Sequence, residues 1–304
     1  MPVYVDDMYK DLNEKPLCTI PRVMCWAVDN MELLKSQPDE SVDLIYSDIL
    51  YGTGRNFGEY QDLKPKQDVI ESHYLPRLIE MKRVLKKDGV LAFQLDWRIN
   101  HWMRILMDDI FGYDNFRNEI IWKYRLGLKA KSKKFVQNHD VILVYAKSDN
   151  HTFNEQKEKI KPRKKYFQKF ENGKAVHQKD IPPVIVDEQL VGSVWVDIKM
   201  RGSKLLYPTE KPNKLTQRIV SAFSNEGDVV ADYYLGSGTT AVVCKELNRN
   251  FIGCDINPKA IEITKARLNA GIDEGIKIVT RRPVRDASLS KPNSRAPWFS
   301  GTGF

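Results

Sequence analysis

Cysteine and histidine are scarce in this chain, four and five among 304 residues. The cysteines, at 18, 25, 244 and 254, show no zinc-ligand spacing. They read as reduced thiols of a cytoplasmic protein, and no metal site is expected. None of the histidines is paired as a catalytic base or ligand would be, and His101, on a helix rich in apolar residues, reads as structural. No cysteine nucleophile or Ser-His-Asp spacing is present either. Long hydrophobic runs are also missing: nothing approaches the roughly 18 apolar residues of a membrane span. The amino terminus, Met1-Pro-Val-Tyr-Val-Asp-Asp, is acidic and lacks the apolar core of an export signal.

What the chain does have is positive charge in one place. The formal net charge is +8, and residues 123–179 hold 16 Lys/Arg against 5 Asp/Glu. Everywhere else the balance is 32 against 35. The same segment interleaves Tyr124, Phe135, Tyr145, Phe153, Tyr166, Phe167 and Phe170 among its bases. Basic residues mixed with aromatics suit a phosphate backbone and stackable bases, although a basic stretch by itself is often only a solvated face.

Around that segment, apolar strands alternate with amphipathic helices. Strand patterns cover 22–27, 42–47, 90–95, 119–122, 141–145, 229–231 and 251–254. Helical spacing appears at 31–35, 74–85, 99–110, 209–223, 239–247 and 257–268. Alternation of this kind predicts an α/β fold with a mainly parallel sheet covered on both faces. Residues 148–206 break the pattern, being polar, basic and irregular around Pro182-Pro183. Beyond Arg282 the Pro-, Ser- and Arg-rich tail reads as poorly ordered. The expected divisions are 1–147, an insertion at 148–206, 207–282, and a tail at 283–304.

Two turns carry the chemistry. In Asp232-Tyr-Tyr-Leu-Gly-Ser-Gly238, Gly236 and Gly238 let the backbone approach a ligand, and a helix opening at Thr239 presents free N–H groups. Asp255 ends the next strand, where an acid can bond ribose hydroxyls. The third glycine of a dinucleotide fingerprint is missing, so a single nucleoside fits better. The second turn, Asp48-Ile49-Leu50-Tyr51, closes a strand. Its acid and the Ile49 carbonyl can accept from an exocyclic amine, and Tyr51 can stack on a planar ring. Each turn, taken alone, could be merely structural.

The order of these segments resembles the beta-class amino-methylating DNA methyltransferases. Val42 to Tyr51 is similar to their strand ending in Asp-Pro-Pro-Tyr, with Ile49 and Leu50 in place of both prolines. Tyr207-Pro-Thr-Glu-Lys-Pro212 resembles the opening of their cofactor half. Residues 231–240 resemble Asp-Pro-Phe-x-Gly-Ser-Gly-Thr-Thr, with Tyr233-Tyr234 for Pro-Phe, and 252–257 resemble the strand with the ribose-binding acid.

The resemblance implies a Rossmann-like fold with a seven-stranded, mainly parallel sheet, circularly permuted motif order and an irregular target-recognition insertion. It implies S-adenosylmethionine as cofactor and methyl transfer to a flipped-out base. Asp48, Ile49, Leu50 and Tyr51 would form the catalytic tetrad. Asp29, Asp48, Thr209, Lys211, Pro212, Asp232, Tyr234, Gly236, Gly238, Thr239 and Asp255 would face the cofactor. Lys129, Lys131, Lys133, Lys134, Arg163, Lys164 and Lys165 would meet double-stranded DNA. An Asp heading the tetrad favours adenine N6 over cytosine N4. A restriction endonuclease partner and a homodimer are further implications. Open beside these stand a cytosine-N4 enzyme, a nucleic-acid-binding relative with a decayed tetrad, and a nucleotide-dependent oxidoreductase argued from the glycine turn alone.

Overall fold

The computed structural model describes residues 23–58, 60–124, 133, 135–166, 168–171, 174–177, 181–200, 207 and 210–269. Lys129, Lys131, Lys134, Thr209, Cys18, the amino-terminal segment and the tail from 283 lie outside them.

The elements run β1 (Val23–Ala27), α1 (Asn30–Ser36), β2 (Val42–Asp48), α2 (Gln67–Val84), β3 (Leu85–Leu95), α3 (Asn100–Phe111), β4 (Phe116–Lys123) and β5 (His139–Ala146). Then come β6 (Lys157–Lys165), β7 (Gln168–Glu171), β8 (Lys174–His177), β9 (Val184–Leu190), β10 (Val194–Trp195), α4 (Asn213–Phe223), β11 (Val229–Asp232), α5 (Thr239–Glu246), β12 (Asn250–Asp255) and α6 (Pro258–Asn269).

The main sheet is ordered β1-β12-β11-β2-β3-β5-β4-β10. Only β5 runs antiparallel to its neighbours. The two-residue β10, which pairs with β4 through Val194 and Trp195, adds an eighth strand to the seven expected.

Alternation of side chains assigns each face its helices. On β2, Ile45 joins a core with Leu33, Leu34, Ile70, Leu78 and Met103 of α1 to α3. Leu44 and Tyr46 point the other way, into a core with Leu215, Ile219, Val243 and Ile261 of α4 to α6. Both faces are therefore covered, as a parallel sheet requires.

Local differences from the sequence reading have physical causes. Helix α2 begins at Gln67, not Tyr74, because Ile70 extends the buried stripe of Tyr74, Leu78 and Met81 by a turn, and Pro76 is accommodated inside it. Strand β3 begins at Leu85, with a register shift between Val42 and Leu44 on its partner, so Asp88-Gly89 lies within the strand. Pro212 caps α4 from outside rather than standing in its first turn.

The polar segment also carries strands that its composition does not announce. β6 pairs with β9, with a register shift between Lys159 and Arg163, and β7 pairs with β8. Its ends are tied to the body. Asn154 Nδ2 donates to the carbonyls of Ser221 and Ser224, and Trp122 Nε1 donates to the Ile198 carbonyl at 2.9 Å. Cys25, Cys244 and Cys254 are buried free thiols. Among the described residues no helix is long and apolar enough to cross a membrane.

Gly238, which precedes α5, sets how closely α5 and α6 approach. Its φ is +74°, and an added Cβ would overlap the Thr264 side chain on α6. Gly238→Ala therefore combines left-handed strain with overpacking. It should lower stability by about 2–4 kcal/mol, read as a shifted urea midpoint at unchanged slope.

Candidate active site

Parallel strands place their carboxyl ends on one edge. Here that edge is acidic. Asp255 ends β12, Asp232 ends β11 and Asp48 ends β2, while Asp29 follows β1 by two residues. β1, β12, β11 and β2 are consecutive neighbours in the sheet, so acids far apart in sequence converge. All four line a single cavity of about 430 Å³, together with the glycine turn, Tyr51 and Lys211.

The glycine turn wraps two of the acids. Gly236 and Gly238 have φ of +52° and +74°, and Gly238 N closes the turn on the Leu235 carbonyl at 3.0 Å. Gly236 N donates to Asp255 Oδ2 at 2.9 Å, and Asn257 N donates to Oδ1 at 2.9 Å. Burial raises the Asp255 pKa, and these two N–H bonds oppose the rise. Asp232 accepts from Tyr234 N at 3.0 Å and from Thr240 Oγ1 at 2.7 Å. Burial still pushes it up to about 6.

The first aromatic of the substituted pair, Tyr233, is buried, and its hydroxyl donates to Gln37 Oε1. The second, Tyr234, faces the cavity with its hydroxyl 3.1 Å from His73 Nε2. Burial and Arg77 hold His73 down to about 4, so the ring is neutral. Asp29 caps α1 by accepting from Met31 N at 2.8 Å and pairs with Arg77. Thr239 opens α5 and is buried against the cavity.

The tetrad is anchored at three points. Ile49 is buried, and its N–H donates to the Gln94 carbonyl at 3.2 Å. The Leu50 carbonyl accepts from Tyr74 Oη at 3.0 Å. The Tyr51 hydroxyl lies 2.7 Å from Asp48 Oδ1 and 2.8 Å from Asp140 Oδ2. Asp48 Oδ2 pairs with Lys211 Nζ, which also stands 5.1 Å from the centre of the Tyr51 ring. Burial raises the Asp48 pKa, and the Lys211 charge works against that rise.

The structure thus brings Asp29, Asp48, Ile49, Leu50, Tyr51, Lys211, Asp232, Tyr234, Gly236, Thr239 and Asp255 to one cavity wall. Gly238 and Pro212, which cap α5 and α4, do not line it. The described bases Lys133, Arg163, Lys164 and Lys165 are exposed and do not line it.

Sequence reasoning missed Asp140, Gln94, Arg77 and Asp62. Asp62 is buried and secures the loop after the tetrad by accepting from Gly52 N at 3.1 Å and Thr53 N at 2.8 Å. The one available signal for Asp140 was an acid opening an otherwise apolar strand. Among the described residues no cluster could hold a metal ion.

A model of the N6/N4 family, described as DNA methylase, matches residues 42–266. The chain is 32% identical over 259 residues to the Type II methyltransferase M.HpaI of Haemophilus parainfluenzae, covering 81% of this chain and 76% of that protein. It is 29% identical over 247 residues to the DNA adenine methyltransferase YhdJ of Escherichia coli K12, covering 79% and 81%. The crystal structure of the M1.HpyAVI–SAM complex superposes with a TM-score of 0.54 at 20% identity, covering 81% of this chain and 99% of that one, and shares the fold. The chain belongs to the N6/N4 DNA methylase family. It is a DNA methyltransferase acting on an exocyclic amine, with S-adenosylmethionine as methyl donor. The cavity fits that donor chemically, because four carboxylates suit a ligand carrying an ammonium, a sulfonium and a ribose diol.

Asp232 makes the site costly to the fold. Its pKa rises from 3.8 to about 6 on folding, so the folded state holds the proton more tightly. Stability therefore falls as pH rises between those two values. The rise corresponds to about 3 kcal/mol. Asp232→Asn should gain stability relative to wild type from pH 4 to pH 7, measured by denaturation at each pH. A difference flat with pH would contradict this assignment.

Proposed function

We propose that the target amine is adenine N6 and that the tetrad end of the cavity receives it. The observation that carries the proposal is the position of Lys211. Its ammonium bonds Asp48 while lying over the Tyr51 face. That pair of contacts is what an exocyclic amine on a stacked base needs, so the pocket is already shaped for a nitrogen donor on an aromatic wall. An acid at the head of the tetrad and the 29% identity to a protein named as a DNA adenine methyltransferase support adenine over cytosine N4.

In this reading Asp48 and the Ile49 carbonyl hold the amine and aim its lone pair. The Leu50 carbonyl, engaged by Tyr74, takes no part. Tyr51 supplies the stacking face. Asp255 receives the ribose hydroxyls, with Gly236 N and Asn257 N fixing its orientation. Asp232, Tyr234, Gly236, Gly238 and Thr239 surround the methionine portion, with Thr209, Lys211 and Pro212 along its border. Asp29, held by Arg77, lies at the cofactor-adenine end. When bound, S-adenosylmethionine supplies a methyl group on a sulfonium, which needs no covalent enzyme intermediate. The chain's own contribution is alignment and a fixed electrostatic environment.

Lys129, Lys131, Lys133, Lys134, Arg163, Lys164 and Lys165, from the 148–206 recognition segment and from residues 129–134, would meet DNA phosphates. The relatives' designation as Type II methyltransferases supports a restriction endonuclease sharing the site. A homodimer and a cytoplasmic location belong to the same reading.

The experiment is methyl transfer to duplex DNA by the purified protein, followed by mass spectrometry of the nucleosides. N6-methyladenine is expected. N4-methylcytosine would assign the other amine, and no transfer with cofactor and DNA both bound would favour a non-catalytic relative.

Asp255→Ala should weaken S-adenosylmethionine binding by about 1–3 kcal/mol, and unchanged calorimetric affinity in the folded variant would remove its role. DNA affinity should fall linearly on a log–log plot against salt. Reversing Arg163, Lys164 and Lys165 to Glu should flatten that slope while sparing cofactor affinity.

A further inference from the structure

Tyr51 is held from behind by a group outside the cavity lining. Asp140 is the second residue of β5, the antiparallel strand, so its amino end meets the same sheet edge as the carboxyl ends of the others. Its side chain is buried with three donors around it. Tyr124 Oη donates to Oδ1 at 3.0 Å, Gln94 Nε2 donates to Oδ2 at 2.9 Å, and the Tyr51 hydroxyl lies 2.8 Å from Oδ2. Gln94 is itself fully buried and fixed by Tyr46 Oη, which donates to Oε1 at 2.8 Å. The clamp is therefore rigid on its far side.

The Tyr51 hydroxyl has one proton and two carboxylates within reach, Asp48 and Asp140. It can donate to only one of them at a time. Donation to Asp140 leaves the Asp48 oxygen available to another donor. The backbone leading into Tyr51 gains no ring constraint from Ile49 or Leu50. An Ile49 N–H bonded to the Gln94 carbonyl could not survive a proline there. The segment is held instead by the Ile49 N–H, the Leu50 carbonyl and the Tyr51 hydroxyl.

We infer that Asp140 is a positioning residue for methyl transfer: it clamps the Tyr51 hydroxyl, fixes the ring that carries the target base and releases Asp48 to accept the target amine. The inference rests on the reading of Asp48 and Tyr51 given under Proposed function.

The test compares Asp140→Ala and Asp140→Asn, each alone and in a Tyr51→Phe background. Turnover, KM for DNA and S-adenosylmethionine affinity are measured. The Tyr51 signal of ring-13C-tyrosine protein, identified by its loss in Tyr51→Phe, is followed without substrate. Asp140→Ala should lower kcat about tenfold or more while cofactor affinity stays within about twofold. Asparagine keeps one acceptor for Tyr51 and should restore kcat to within about threefold of wild type. In the Tyr51→Phe background Asp140→Ala should change kcat less than about twofold, because both changes break one interaction.

Equal losses in both backgrounds, or an unmoved Tyr51 signal, would overturn the clamp. Asp140→Ser, whose hydroxyl is one bond too short to meet Tyr51, carries the same arms if the alanine variant does not fold. If wild-type protein transfers no methyl group, the functional reading falls separately, and the Tyr51 signal still decides whether the clamp exists.

Discussion

One electrostatic constraint organises this protein. Four parallel strands stand side by side, and an acid lies at or just beyond the end of each. Asp48, Asp232 and Asp255 are all pushed toward protonation by burial. Such a row is stable only if donors face it. The glycine turn supplies two of them, through Gly236 N to Asp255 and Tyr234 N to Asp232, and Lys211 supplies a full charge at Asp48. The folded state thus accepts an electrostatic cost for a pocket that attracts cationic and hydrogen-bond-donating ligands. That exchange is expected where catalysis depends on a fixed polar environment.

The two ends of the row come from distant parts of the chain. The tetrad lies in the first third and the glycine turn in the last, and they meet because β11 pairs with β2 through Val230↔Leu44 and Ala231↔Ile45. The edge strand β1, first among the described elements, brings Asp29 to the outer end by pairing Ala27 with Asp255. The polar row continues past the parallel strands. Gln94 on β3 is in register with Asp48, and Asp140 follows on β5. One edge therefore presents Asp29 and the acids beside the glycine turn, then Asp48 and Tyr51, then Gln94 and Asp140 behind Tyr51.

Much of this was legible in the chain. Strand-end acids are visible as a charge terminating an apolar run, and parallel topology guarantees that such charges share an edge, so Asp48, Asp232 and Asp255 could be found without coordinates. The glycine turn was legible because its glycines take left-handed conformations that few other residues adopt. Asp140 was not, because β5 reverses direction and brings its beginning to the edge, a fact that no local pattern encodes. The pairing of Lys211 with Asp48 spans 163 residues of sequence, so only the sheet order reveals it. The strands of the basic segment were hidden because β6 and β9 are almost wholly exposed, leaving no apolar alternation to mark them. The substituted tetrad prolines read as possible decay. The structure ties the Ile49, Leu50 and Tyr51 positions each by a named contact.

In the proposed reading, the Asp48 end of this row holds the base being methylated. Methylation-aware sequencing of DNA from cells expressing the wild-type protein or Asp48→Ala tests it most directly, with calorimetry establishing that the variant still binds S-adenosylmethionine. N6-methyladenine in one sequence context is expected with the wild type and none with the variant. The same modified sites in both, or no modified base in either, would contradict it.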